Sequence, residues 1–195
     1  NIDDDGDGYI DNLIGYDVYS DDNDPHTGEQ HGTMVAGCVS SETNNTEGIA
    51  SIGWSVKLVA LNSGSGGTLP AGYEGILAAA HMGVDIVNCS WGMSSYLESN
   101  EAVINTIHNQ YGMVVVAAAG NYGVNEPHYP ASYENVISVT ATGPGNNFNC
   151  WPNFHSTVDI SAPGQDIITT ANSSNLYDTV TGTSFSSPIV AGGIA

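Results

Sequence analysis

The sequence predicts an α/β fold with a doubly wound, mainly parallel sheet that carries helices on both faces. Beyond residue 55, short apolar runs alternate with longer segments of helical periodicity, as in chains whose parallel strands are joined by helices. The apolar runs are continuous, which is typical of strands buried on both faces. A length of 195 residues, with 41% hydrophobic and 11% charged residues, suffices for one packed core, so we expect one domain.

The elements follow in chain order. An acidic block over residues 1–30 holds almost half of the 21 carboxylates, and an apolar helix opens after it at His31. The pattern then predicts strands over 56–61, 85–89, 113–119 and 136–139, helices over 73–82 and 98–110, and turns with short strands over 142–183 before a last helix.

The charge of the chain excludes several classes of partner. Lys57 is the only Lys or Arg against 21 Asp and Glu residues, which gives a net charge of −20. A protein without a basic surface does not hold nucleic acid or an anionic membrane face, so we expect neither partner. No apolar run reaches the roughly 18 to 20 residues that a membrane span requires.

Cysteine spacing gives no metal or redox motif. Cys38, Cys89 and Cys150 lie far apart without a C-x-x-C pair, which argues against a zinc ribbon and a dithiol site. Their small and apolar neighbours predict buried structural thiols.

Three short segments carry candidate chemistry. Ser184 follows a glycine turn and precedes an apolar helical pattern, so it is either a nucleophile at a helix N-terminus or an ordinary capping serine. His31 opens a helix of small residues, where a lone histidine is more often structural. Asn121 ends a buried strand and is either a turn former or an oxyanion donor.

Taken jointly and in this order, the segments resemble the subtilisin-like serine proteases, or subtilases. Residues 31–37 (HGTMVAG) are similar to the histidine motif of the family and residues 182–192 (GTSFSSPIVAG) to its serine motif. Residues 118–121 (AAGN) resemble its oxyanion segment, 90–92 (SWG) its substrate-cleft strand and 158–164 (VDISAPG) a structural signature. The resemblance covers nearly the whole chain and implies a subtilisin-like fold.

The resemblance implies a role for each matching residue. Ser184 would attack the scissile carbonyl, His31 would take and return the proton, and the amide of Asn121 would hold the oxyanion. Residues 65–67 and 90–92 would pair with an extended polypeptide substrate, and the oxyanion strand would line the pocket. Taken alone, residues 90–92 would instead indicate a buried strand and residues 65–67 a flexible turn. The substrate-binding residues expected in this way are Ser65, Gly66, Gly67, Ser90, Trp91, Gly92, Ala118, Ala119 and Gly120. A loop near His128 is expected at the pocket for the P1 side chain, with Glu126 on its rim and a preference for apolar or aromatic side chains.

The aspartate that completes the family's Ser-His-Asp triad has no counterpart before His31. The family places it at the end of an apolar first strand, and nothing in residues 1–30 matches. We therefore expect a single catalytic domain that lacks this strand and the C-terminal end, with the aspartate upstream of Asn1. Without that carboxylate, the 195 residues alone should be inactive or nearly so.

The acidic block predicts calcium in at least one of two clusters. The first has the alternating carboxylates of a calcium loop, although Ile14 stands where an EF-hand has its glutamate; the second lies shortly before His31 and resembles a calcium site of some subtilases. The alternative is a solvated, self-repelling acidic face. The candidate ligands are Asp3, Asp5, Asp7, Tyr9 and Asp11 in the first cluster and Asp17, Asp22 and Asp24 in the second.

Three functions are compared. The sequence favours a secreted, monomeric serine endopeptidase over a catalytically dead, calcium-dependent binding module on the same fold, because His31, Asn121 and Ser184 are all intact. A serine esterase of the α/β-hydrolase type is excluded, since Ser186 replaces the second glycine of G-x-S-x-G and His31 precedes Ser184.

Overall fold

A four-stranded parallel sheet in the order β3-β4-β5-β6 lies at the centre of the computed structural model, which describes residues 3, 6–10 and 12–195. Its strands are β3 (Ile86–Cys89), β4 (Val114–Ala118), β5 (Val136–Thr142) and β6 (Ile160–Pro163). Two smaller sheets accompany it, a parallel pair of β1 (Gly15–Asp17) with β2 (Ala60–Asn62) and an antiparallel hairpin of β7 (Ile167–Thr170) with β8 (Tyr177–Val180).

Helices cover both faces of the central sheet, as the sequence predicted. They are α1 (His31–Ser40), α2 (Gly72–His81), α3 (Glu98–Thr106) and α4 (Thr183–Ile194). On one face, Val115 and Ala117 of β4 pack in a core with residues of α2 and α3. On the other, Val116 packs with residues of α4, so alternate residues of one apolar strand serve two cores. The α/β class with a mainly parallel sheet is confirmed.

Two predicted elements differ in extent. Of the run 56–61, only Ala60 and Leu61 lie in a strand, β2, which pairs with β1. Leu58 and Val59 are exposed and pair with no strand among the described residues. The helix expected over 98–110 leaves the α conformation after Thr106 and ends in a π-turn, Ile107–Tyr111, that stops at Gly112 with φ 67°.

The cysteine prediction is right for two thiols and wrong for the third. Cys38 and Cys89 are buried, and burial raises the pKa of the Cys89 thiol to about 12, which suits an inert structural thiol. Cys150 is exposed and lies in the loop between β5 and β6.

The described helices include none that is long and apolar enough to cross a membrane.

Candidate active site

The predicted catalytic side chains lie where the carboxyl ends of two strands face two helix N-termini. Ser90 directly follows β3, and Asn121 lies three residues beyond the end of β4. His31 is the first residue of α1, and Ser184 is the second residue of α4. In open α/β sheets this edge gathers the working groups, because loops there connect strands to helices.

An open pocket of about 220 Å³ lies at this edge. Most of the predicted catalytic and substrate-binding residues line it, whereas His31, the buried Ala119 and residues 65–67 do not. The lining residues are Ser90, Trp91, Gly92, Ala118, Gly120, Asn121, Tyr122, His128, Thr183 and Ser184.

Ser184 is half-buried and is tied to the strand end at Ser90. The Ser184 hydroxyl donates to the Ser90 carbonyl oxygen at 3.2 Å, and the Ser90 hydroxyl donates to the Ser184 carbonyl oxygen at 2.7 Å. Because backbone N–H groups in the first turn of a helix lack intrahelical partners, the start of α4 favours negative charge next to Ser184.

His31 is close to the serine segment but does not hydrogen-bond Ser184. Its ring centroid is 5.9 Å from that of Phe185, the residue after Ser184. Desolvation lowers the pKa of His31, and the Glu29 carboxylate acts in the opposite direction. Among residues 3, 6–10 and 12–195, no carboxylate hydrogen-bonds the imidazole.

The amide of Asn121 is oriented by Thr183. Its Oδ1 accepts hydrogen bonds from the Thr183 backbone N–H at 2.8 Å and from the Thr183 hydroxyl at 2.9 Å. Both donors fix Oδ1 toward α4, so the amide NH₂ is the end of Asn121 left for another acceptor. Sequence reasoning missed Thr183, although its place directly before Ser184 was visible.

The pocket differs from the sequence prediction at its mouth. His128 lines the pocket as expected, but Glu126 does not. The exposed ring of Tyr122 also lines the pocket, and its centroid is 5.9 Å from that of the His128 ring. Burial lowers the pKa of His128, which favours a neutral ring. The walls are therefore uncharged and partly aromatic.

Ser65, Gly66 and Gly67 form a turn where an extended edge was expected. Ser65 bridges Thr68, and Gly66 and Gly67 have φ of 62° and 75°. A left-handed backbone does not present the alternating donors and acceptors of a strand, so Gly66 and Gly67 are not in an extended conformation here. Substrate pairing at residues 65–67 stays a prediction. The Gly67 N–H donates to Glu29 Oε1 at 3.2 Å.

The first acidic cluster is organised by its own carboxylates. Asp3 accepts the N–H groups of Gly6 and Gly8, and Asp7 accepts the Tyr9 N–H. Asp5 and Asp11, two further predicted ligands, lie outside the described residues.

The second cluster contains the buried carboxylate of Asp17. Burial by itself would raise its pKa, but hydrogen bonds from Ser20 and Asn62 prevail and hold the pKa below the ordinary value. Asp22 and Asp24 accept local backbone N–H groups. These oxygens suit calcium chemically, yet no three acidic, histidine or cysteine side chains converge within residues 3, 6–10 and 12–195. Calcium stays a prediction.

Comparison with known proteins gives a consistent result. A family profile described as the subtilase family matches residues 1–195. A thermophilic serine proteinase from Bacillus sp. (strain AK1) is 40% identical over 183 residues, which cover 92% of this chain and 45% of that protein. A halolysin-like extracellular serine protease, Nep, from Natrialba magadii is 34% identical over 183 residues, covering 91% of this chain and 34% of that protein.

A solved structure agrees with the fold. A structure described as proteases from Pseudoalteromonas arctica PAMC 21717 superposes with a TM-score of 0.76 at 31% identity, covering 83% of this chain and 56% of that chain. The chain thus spans less than two thirds of the length of each of these proteins.

Proposed function

The chain belongs to the subtilase family, and on that premise we propose that it forms most of the catalytic domain of a secreted serine endopeptidase. The observation that carries the proposal is the position of Ser184 at the start of α4, in one pocket with Asn121 and beside the ring of Phe185 that contacts His31.

In the proposed reaction, Ser184 Oγ attacks the carbonyl carbon of the scissile peptide bond. Neutral His31 takes the Ser184 proton and then gives it to the leaving amine. Desolvation lowers the pKa of His31, which increases the fraction of neutral base near pH 7. The Ser184 hydroxyl exchanges its bond to the Ser90 carbonyl for one to the imidazole.

The oxyanion would be held by the amide NH₂ of Asn121 and the backbone N–H of Ser184. The two bonds from Thr183 to Asn121 Oδ1 support this assignment, because they leave the amide nitrogen as the free end. Donors fixed before the reaction stabilise developing charge without having to reorganise.

The substrate would be a polypeptide whose backbone pairs with residues 90–92 as an added strand. The uncharged pocket with Tyr122 and neutral His128 supports the predicted preference for an apolar or aromatic P1 side chain. Residues 65–67 would contact substrate only after a change from their turn conformation.

The triad carboxylate is proposed to come from a strand outside residues 1–195. Two observations on the described residues support this proposal: β3 pairs there with β4 alone, and the buried Asn88 Oδ1 of β3 has no hydrogen-bond partner. A further strand beside β3 would supply backbone donors there. The 195 residues alone should then be nearly inactive.

Secretion is part of the proposal. It is supported by the similarity to Nep, which is described as extracellular, and is tested by detecting the protein in culture supernatant. The alternative, a catalytically dead binding module, would be favoured only if the full-length protein does not hydrolyse peptides.

Labelling of Ser184 tests the proposal. In the full-length protein, a fluorophosphonate should modify Ser184 and abolish peptide hydrolysis, because it reacts with an activated serine. Ser184→Ala should fold and be inert, whereas Ser99→Ala, which removes an exposed serine of α3, should label normally. Modification at another residue, or activity in Ser184→Ala, would overturn the assignment.

A further inference from the structure

A buried amide, Asn153, joins a distant part of the chain to residues 119–124, the loop that carries Asn121. Asn153 is only 2% exposed. The Asn153 Nδ2 donates to the Ala119 carbonyl oxygen at 2.9 Å. Its Oδ1 accepts the backbone N–H of Tyr122 at 3.0 Å and that of Val124 at 3.4 Å.

The backbone of Asn153 adds to the same connection. Its N–H donates to the Gly120 carbonyl oxygen at 3.0 Å. Its carbonyl oxygen accepts the Thr140 hydroxyl of β5 at 2.6 Å, a bond that does not involve residues 119–124. Asn121 therefore lies between residues that are each fixed by Asn153, Ala119 and Gly120 before it and Tyr122 after it.

The close approach explains the glycine at position 120. Its φ of +104° is one that side-chain-bearing residues rarely adopt, and a Cβ there would lie 2.5 Å from Asn153 Nδ2. The loop thus follows a path that a glycine permits and Asn153 holds.

An amide meets the requirements of this position at any pH. One end must donate to a carbonyl and the other must accept from backbone N–H groups, in a space closed to water. A serine is too short to reach both, an aspartate has no donor when ionised, and an apolar side chain leaves buried polar groups unpaired.

We propose that Asn153 is a positioning residue for the oxyanion donor. This inference rests on the proposed function, since it matters for catalysis only if Asn121 holds an oxyanion. Asn153 does not line the pocket, so it acts through the backbone on both sides of Asn121 and sets where the amide nitrogen lies relative to Ser184.

The test is a double-mutant cycle in the full-length protein, with activity normalised to the amount of fluorophosphonate-reactive Ser184. Asn153→Ala should lower kcat by about 10- to 100-fold and change KM by less than about 2-fold. The reason is that displacing the Asn121 amide weakens a hydrogen bond that forms mainly in the transition state. In an Asn121→Leu background the same change should lower kcat by less than about 2-fold, since the donor is already absent. An equal loss in both backgrounds would overturn the proposal.

Thr140→Val is the matched control. It removes the hydroxyl that donates to the Asn153 carbonyl oxygen but no bond to residues 119–124, so kcat should stay within about 2-fold of wild type. A kcat loss equal to that of Asn153→Ala would show a general structural effect and count against the proposal.

Asn153→Asp serves as a second variant of the same shape. The variant keeps an oxygen that accepts from the Tyr122 N–H. Its second oxygen faces the Ala119 carbonyl oxygen, and the two oxygens can hydrogen-bond only when the carboxyl is protonated. Because burial raises a carboxyl pKa, the ratio of its kcat to that of wild type should rise from about pH 8 to about pH 6. A kcat equal to that of wild type throughout this pH range would contradict the proposal.

Hydrogen exchange provides a readout without catalysis. The Tyr122 N–H should exchange faster in Asn153→Ala than in wild type, and unchanged exchange would overturn the inference. An inert wild-type protein would contradict the proposed function, whereas an active wild type whose kcat is insensitive to Asn153→Ala would contradict this inference alone.

Discussion

Asn121 is exposed, yet the direction of its amide is set by the buried Thr183, whose N–H and hydroxyl both donate to Asn121 Oδ1. Asn121→Leu should lower kcat by about 10²- to 10³-fold with little change in KM, because an oxyanion donor acts mainly in the transition state. Steady-state kinetics on a peptide substrate measures both constants. A rise in KM at constant kcat would assign Asn121 to substrate binding instead.

The Glu29 carboxylate influences the pKa of His31. It raises the pKa of His31 against the larger effect of desolvation, which lowers it. In the proposed mechanism His31 must be neutral, so activity should be lost as pH falls through its pKa. Glu29→Gln removes the opposing charge and should move the acid limb of kcat/KM to lower pH. Glu126→Gln, which changes an exposed carboxylate outside the pocket, should leave the limb in place. An upward shift in Glu29→Gln would refute the electrostatic account.

At the scale of elements, α1 is positioned by the hairpin strand β7. The Thr169 hydroxyl donates to the Met34 carbonyl oxygen at 2.6 Å, and the Thr170 hydroxyl donates to that of Thr33 at 2.7 Å. This close contact needs Gly37, because a Cβ there would overlap both threonine hydroxyls. The hairpin thereby fixes the first turn of the helix that begins at His31.

Gly37→Ala should destabilise the fold by about 1–3 kcal/mol, the usual cost of overpacking. Gly32→Ala is the matched control on the same helix, since a Cβ there has nothing within 4 Å, and it should be neutral or stabilise by up to about 1 kcal/mol through helix propensity. Urea denaturation measures both. Equal stability of the two variants would show that α1 and β7 are not tightly packed at Gly37.

For the whole molecule, a net charge of −20 produces self-repulsion that opposes folding, and the acidic block over residues 1–30 carries almost half of the carboxylates. If calcium binds there, a chelator at constant high NaCl should lower Tm, and Ca²⁺ should restore it at concentrations too low to alter ionic strength. Differential scanning calorimetry measures the shift.

Carboxylate variants locate the effect. Asp22→Asn or Asp24→Asn should weaken the rescue if the second cluster binds the ion, and Asp7→Asn should do so if the first does; Asp85→Asn, outside the block, should not. Equal rescue by NaCl alone would show that the block is a solvated acidic face.

The sequence by itself determined the α/β class and the family resemblance, and it predicted His31, Asn121 and Ser184 as the candidate site residues. These features are local: a glycine turn before a helix, an amide after an apolar strand and the period of the hydrophobic residues are all visible within about ten residues. The same local patterns gave the approximate extents of α2 and β3–β5.

Only the tertiary structure decided which atoms meet. Thr183 reaches Asn121 across 62 residues, Asn153 reaches Tyr122 across 31, and Ser90 bonds Ser184 across 94. The exposure of Cys150 likewise depends on how the rest of the chain packs. The turn at residues 65–67 is local instead, since Ser65 pairs with Thr68. A hydrogen-bond partner and a degree of burial are properties of packed surroundings, so local sequence patterns leave them open and the fold assigns them.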